Sequence, residues 1–340
     1  MIDKCKIFYD EDVDASILKG KNIGIIGYGI QGRAQALNLL DSGYNIRIGN
    51  QQDRYYKLIE EDGLEPNHPT NVAEWADIIM YLIPDDAQSE RYDSWIKPYL
   101  VTDKAIVFAH GYSVYFKRFE IPNDVDVLLL APRMPGKYIR ERFLDGWGVP
   151  VFIDTYQDHT GKALDIVLAL SKGIGATRVG AMKISMQEET EIDLFIEQYL
   201  LPRITYAIES SFDFLVSKGF TPEAVISEIY ASKEIGKLIR DAADSNIYQI
   251  FRDNASPTCQ YGKMSNMYNA KELHPKEHME LIINNLRTGK FDLELKKSGS
   301  EGYKELYDYN FKMENSNLVK THNNYNKMHR LKKNNTNTKT

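Results

Sequence analysis

Three glycines, Gly27, Gly29 and Gly32, fall in the order G-x-G-x-x-G within "NIGIIGYGIQGRAQALNLLDSGYNIRIGN". An apolar run precedes them and a helical pattern follows, the setting in which such a loop binds a dinucleotide. The first glycine permits a tight turn. The second lets the backbone approach a pyrophosphate at a helix N-terminus, and the third allows close helix–strand packing. A second grouping lies far downstream. Asp193 and Glu197 are spaced i and i+4, so both carboxylates face one side of a helix. Paired hard oxygens suit Mg²⁺, although such a pair taken alone is more often a solvated face. A third candidate is His110 in "FAHG". It ends an apolar run, where the ligands of open α/β sheets bind.

The elements that must hold these groups are legible as runs. "NIGIIG", "YNIRIG", "DIIMYLIP", "AIVFAH", "VDVLLLAP" and "VPVFIDTY" each have the length of a strand, and most are apolar on both faces. That pattern, with helical stretches between, predicts a parallel sheet covered on both sides. From about residue 185 the strand signals stop. "EIDLFIEQYLLPRITYAIESSFDFLVSKGF" and "TPEAVISEIYASKEIGKLIRDAADS" read as long helices, with Gly219 ending the first and Thr221–Pro222 opening the second. The expected organisation is an N-terminal Rossmann-type parallel-sheet domain over 1–183 and an all-helical domain over 184–325. A polar, basic tail over 326–340 is expected to be disordered.

Composition narrows the function classes. The chain has 340 residues, 43% hydrophobic, and a net charge of −6. Two domains with real cores fit that length, and the charge argues against a general nucleic-acid binder. No apolar run is long enough to span a bilayer. "MIDKCKIFYDEDVDASILKG" is polar and acidic, without the apolar stretch of a secretion signal, so the cytoplasm is expected. Cys5 and Cys259 form no ligand pattern and read as two free thiols. At the end of the second strand, an acid favours NADH and a basic cluster favours NADPH. Asn50, Gln51, Gln52, Asp53 and Arg54 supply both, so either cofactor remains open.

Taken together, the runs "GYGIQGRAQALNLLDSG", "LIPDDAQSERY", "FAHGYSVYF", "APRMPG", "GWGVP", "YQDHTGKALDIVLALSKGIGATR" and "EETEIDLFIEQ" resemble ketol-acid reductoisomerase in its short bacterial form. The similarity extends over roughly residues 5 to 320. The resemblance implies a nicotinamide cofactor and magnesium. It also implies conversion of an acetohydroxy acid by alkyl migration and hydride transfer, in branched-chain amino-acid synthesis. It further implies an intertwined homodimer whose sites draw on both subunits. By this likeness the cofactor contacts are Gly27, Tyr28, Gly29, Ile30, Gln31, Gly32, Asn50, Asp53, Arg54, Pro84 and His110. The metal ligands are Asp193, Glu197 and Glu228, and the catalytic groups His110, Arg133 and Glu197.

Three positions depart from that family's pattern. Ser232 stands where a second carboxylate should follow Glu228, and Glu234 is two residues too late. Arg133 of "APRMPG" replaces a catalytic lysine, keeping the charge without a transferable proton. Arg252 replaces a substrate-binding serine and offers a planar fork for a carboxylate. Alkyl migration needs two magnesium ions, whereas hydride transfer needs a placed nicotinamide and an electrophilic clamp. The expectation is an NAD(P)H-dependent oxidoreductase of a small 2-oxo or acetohydroxy acid with a weakened isomerase step. Its alternatives are a full reductoisomerase and a non-catalytic dinucleotide-binding dimer. No membrane or nucleic-acid partner is expected.

Overall fold

The six apolar runs become strands of one nine-stranded sheet: β2 (Asn22–Ile26), β3 (Asn45–Gly49), β5 (Ile78–Tyr81), β6 (Ala105–Phe108), β7 (Asp126–Pro132) and β8 (Val151–Gln157). Three short strands complete it: β1 (Lys6–Phe8), β4 (Pro66–Asn67) and β9 (Ala181–Lys183). The computed structural model describes residues 6–272 and 276–328. It divides into two compact units, Met1–Asp193 and Leu194–Thr340.

Strand order is β1-β9-β8-β7-β6-β5-β2-β3-β4. From β2 the chain runs outward through β3 to β4, then returns to β5 on the other side of β2. The order therefore reverses between β2 and β5, which opens a crevice at the C-terminal ends of these strands. Pairing is parallel from β7 through to β4, and between β8 and β9. The sheet is not parallel throughout: β8 runs against β7 and β1 against β9.

The double-faced burial has a simple origin. Along each central strand the side chains alternate between two cores. Ile25, Met80, Val107 and Leu128 enter one, and Ile26, Tyr81, Phe108 and Leu129 enter the other. Eight helices accompany the sheet: α1 (Ile30–Asp41), α2 (Tyr56–Glu61), α3 (Pro69–Trp75), α4 (Asp85–Trp95), α5 (Tyr112–Tyr115), α6 (Gly136–Leu144), α7 (Ala163–Gly173) and α8 (Met186–Phe195). Leu39 of α1 and Val167 of α7 lie in the first core, Val72 of α3 and Tyr92 of α4 in the second.

The second unit is helical: α9 (Leu201–Ser217), α10 (Pro222–Ile226), α11 (Glu234–Asp241), α12 (Ile247–Asn254), α13 (Pro257–Glu272), α14 (Lys276–Arg287), α15 (Lys290–Ser300), α16 (Lys304–Glu314) and α17 (Asn317–Met328). Gly219, at φ +89, follows the end of α9, and Thr221–Pro222 opens α10. The long helix expected over 221–245 is broken. A π-helical turn, Ser227–Ala231, follows α10, and Lys233 adopts φ +71 before α11. The extra residue of a π turn shifts the helical register, and the left-handed residue then restarts the chain. Of the tail, 329–340 lies outside the described residues. So does Cys5, while Cys259 is an exposed free thiol.

Candidate active site

The glycine loop links β2 to α1. Gly27 adopts φ +102, and its amide donates to the Gly49 carbonyl at 2.8 Å. A Cβ there would come within 2.8 Å of Leu82 and Ile83. A Cβ on Gly32 would overlap the Gly27 carbonyl oxygen, so the helix packs on the loop only with glycine at that position. Gly29 differs: a Cβ would meet nothing within 4 Å. The space in front of this N-cap residue of α1 is open, which is what a pyrophosphate on a helix N-terminus requires.

Asn50 ties the loop to the end of β3. Its Oδ1 accepts from the Tyr28 amide at 3.1 Å, and its Nδ2 donates to Asp53 at 2.9 Å. Asp53 also accepts from the Tyr55 amide at 2.8 Å. Arg54 lies over the Tyr55 ring and donates to its hydroxyl at 2.8 Å. The Tyr28 side chain is buried and donates to Asp62 at 2.9 Å, so any contact it offers a cofactor comes from its backbone. Ile30 is exposed, and Gln31 donates to the Met134 carbonyl at 3.1 Å. Pro84 caps α4, next to Asp85.

Beyond the ends of β6 and β7, four side chains converge with Asp85. His110 Nδ1 bonds Asp85 Oδ2 at 2.9 Å, and its Nε2 faces Asp193 Oδ2 at 3.6 Å. Gly111 brings α8 close, since a Cβ there would lie 2.9 Å from the Met186 carbonyl oxygen. The Gly111 amide donates to Glu189 Oε2 at 2.9 Å. Arg133 then bridges both acids of α8, donating from Nη2 to Glu189 at 2.9 Å and from Nη1 to Asp193 at 3.1 Å. Burial works against a charged His110, but the hydrogen bond to Asp85 and the charges of Asp85, Glu189 and Asp193 outweigh it. The imidazole pKa is pushed up to about 9. Glu189 is fully buried, and that burial raises its carboxyl despite His110, the Gly111 amide and Arg133.

Sequence reasoning missed Asp85 and Glu189. Glu189 stands four residues before Asp193, the same spacing as Asp193 to Glu197, so a signal existed. His110, Glu189 and Asp193 offer ligand atoms all within 4.8 Å of one another. Two hard oxygens and an imidazole suit a divalent cation. Arg133 already engages both acids.

The second unit's candidates are placed separately. Glu197 lies in a π-helical turn, Ile196–Leu200, and Glu228 in the other, Ser227–Ala231. Such turns recur at functional sites. Asp193 belongs to the first unit and Glu197 to the second. Ser232 follows the second π turn, its amide donating to the Ser227 carbonyl at 3.2 Å. Arg252 on α12 is exposed and its Nε lies 3.3 Å from Asp253.

A switch-point crevice, a glycine loop open at its second position and a half-buried His–Asp pair beside it define a nicotinamide-dependent oxidoreductase. Two family profiles account for the chain. "Acetohydroxy acid isomeroreductase, NADPH-binding domain" matches residues 17–180, and "Ketol-acid reductoisomerase, C-terminal domain" matches 186–330. The chain belongs to the ketol-acid reductoisomerase family. It is 39% identical over 288 residues to the ketol-acid reductoisomerase (NADP(+)) of Sulfolobus acidocaldarius, covering 84% of this chain and 86% of that one. An NADH-preferring ketol-acid reductoisomerase from an uncultured archaeon superposes with TM-score 0.90 at 32% identity, over 96% of this chain and 100% of that one. A semialdehyde dehydrogenase NAD-binding protein from Cupriavidus necator shares the fold alone: TM-score 0.61, 16% identity, 79% of this chain and 99% of that one.

Proposed function

We propose that this protein uses NADH or NADPH to reduce a small 2-oxo or acetohydroxy acid, with hydride transfer retained and alkyl migration slow. The bridge from Arg133 to Glu189 and Asp193 carries this reading. It places a permanent cation, without a proton to give, at the acids that would serve the migration step. The glycine loop and the residues from Asn50 to Arg54 hold the cofactor, with Pro84 beside them. A bound nicotinamide would supply hydride for the substrate carbonyl, and His110 Nε2 would hold the proton that the carbonyl oxygen takes up. Asp85 holds the imidazole from the other side. Arg252 grips the substrate carboxylate.

By family likeness, Asp193, Glu197 and Glu228 are the proposed magnesium ligands. When bound, the ion supplies a Lewis acid for the substrate oxygens. We take 1–183 as the cofactor domain and 184–325 as the helical domain. The latter exposes Tyr206, Phe214, Ile239, Tyr248 and Phe311 around a small core, which supports self-association into a homodimer. Among the described residues, no helix is long and apolar enough to cross a membrane. The cytoplasm, with its nicotinamide pool, is the proposed compartment.

The test offers each cofactor, with and without Mg²⁺, together with 2-acetolactate or its already isomerised 2-oxo product. The isomerised acid should turn over faster by roughly 10²–10³, the usual loss when a transition-state charge stabiliser is missing. A second reading, a full reductoisomerase of branched-chain amino-acid synthesis, is favoured by Glu228, which keeps one acid of the second pair. Equal turnover of the two substrates would establish it.

A further inference from the structure

Arg133 is held by four contacts and is partly buried. Its Nε donates to the Ala131 carbonyl at 3.2 Å, and its guanidinium lies 4.8 Å from the Phe152 ring centre. Its two terminal nitrogens take Glu189 and Asp193. This is a built socket for a planar cation, since a fork can satisfy two carboxylates while its face rests on an aromatic ring. Asp193 is engaged through both oxygens: Oδ1 faces Arg133 at 3.1 Å and Oδ2 faces His110 Nε2 at 3.6 Å. Three carboxylates, Asp85, Glu189 and Asp193, thus face two basic side chains within one cluster.

We propose that Arg133 is an internal cation that competes with divalent metal for Asp193. The inference rests on the reading above that Asp193 is a magnesium ligand. A metal ion reaching the Oδ1 lone pairs must displace Nη1. The freed guanidinium then keeps Glu189 but loses half of its bidentate engagement. The permanent charge of Arg133 already offsets part of the negative charge of Glu189 and Asp193, so the attraction for a further cation is reduced. Metal uptake is weak as a consequence, and the reductase function leans on side-chain cations in its place.

Manganese provides the probe, because the free ion is counted directly by electron paramagnetic resonance. Metal-stripped wild type, Arg133→Gln and Arg133→Lys are titrated with Mn²⁺. A thermal shift with NADPH shows that each variant keeps its cofactor domain folded. Arg133→Gln should bind Mn²⁺ at least about tenfold more tightly than wild type, the lower end of the effect expected for a group that tunes a metal ligand. Arg133→Lys, a point charge unable to span two acids, should also bind more tightly. Adding Asp193→Asn to Arg133→Gln should abolish the gain. Wild-type affinity equal to or tighter than that of both variants overturns the proposal, as does a gain that survives Asp193→Asn. Reduction of the 2-oxo acid is assayed separately without Mn²⁺. Its failure would remove the proposed reaction and leave the measured competition standing.

Discussion

Gly136 lies against the backbone of Ile30 so closely that a Cβ at position 136 would overlap the Ile30 carbonyl oxygen. The contact sets the start of α6 against the first turn of α1, the turn that carries the glycine loop. Gly136→Ala must push the two helices apart. Overpacking of this kind costs about 1–3 kcal/mol. The variant should unfold at lower urea than wild type and bind NADPH more weakly. An unchanged midpoint would show that the helices can separate without cost.

Gly29 and Gly32 should separate binding from folding. A side chain at Gly29 meets nothing within 4 Å, whereas one at Gly32 overlaps the Gly27 carbonyl oxygen. Gly29→Val should hold its melting temperature within a few degrees and lose the cofactor-induced thermal shift. Gly32→Ala should cost the apo protein about 1–3 kcal/mol of stability and so lower its melting temperature. The reverse pattern would mean that the cofactor does not approach the loop at Gly29.

Asp85 is a positioning residue for His110, bonded to Nδ1 at 2.9 Å. It supplies the leading upward push on an imidazole whose pKa stands at about 9, against an ordinary 6.5. Asp85→Asn should therefore move the alkaline limb of the kcat profile toward lower pH, because the imidazolium loses its proton sooner. The maximum rate should fall by about 10²-fold, a typical general acid–base contribution. A merely structural Asp85 would lower the amount of active protein without moving the limb.

The central sheet was legible because its strands are apolar on both faces, so Ile25 and Ile26 announce a buried strand whichever way each points. The reversal of β8 was not, since a strand's direction is set by the path of α6 and the loop after it rather than by its own residues. Asp193 could be singled out, but not the acid that shares Arg133 with it. Glu189 and Glu197 stand at equal spacing on either side, and only the Gly111 amide and Arg133, distant in sequence, select Glu189. Asp85 reads as an ordinary first-turn acid of α4. The break at Lys233 carries no signal, because lysine, unlike glycine, has no preference for positive φ.

Arg33, Asp62 and Tyr28 form a pH-dependent clasp beneath the glycine loop. Arg33 donates to both Asp62 oxygens, at 2.6 and 2.7 Å, and the Tyr28 hydroxyl donates at 2.9 Å. Burial alone would raise the Asp62 carboxyl, but the hydrogen bonds from Arg33 and Tyr28 and the Arg33 charge hold it below the ordinary value of 3.8. A carboxyl depressed in the folded state stabilises the fold above its unfolded pKa, and that stability is lost as pH falls through the folded pKa. Wild type should thus exceed Asp62→Asn in stability by about 1 kcal/mol at neutral pH, a modest figure because the Arg33 side chain is 44% exposed. The difference should hold down to about pH 5 and shrink below about pH 4, where unfolded aspartates protonate. Paired urea titrations between pH 3 and pH 7 measure it. A gap that stays constant across that range would mean that the Asp62 charge contributes nothing, and that the variant suffers only from a lost hydrogen bond.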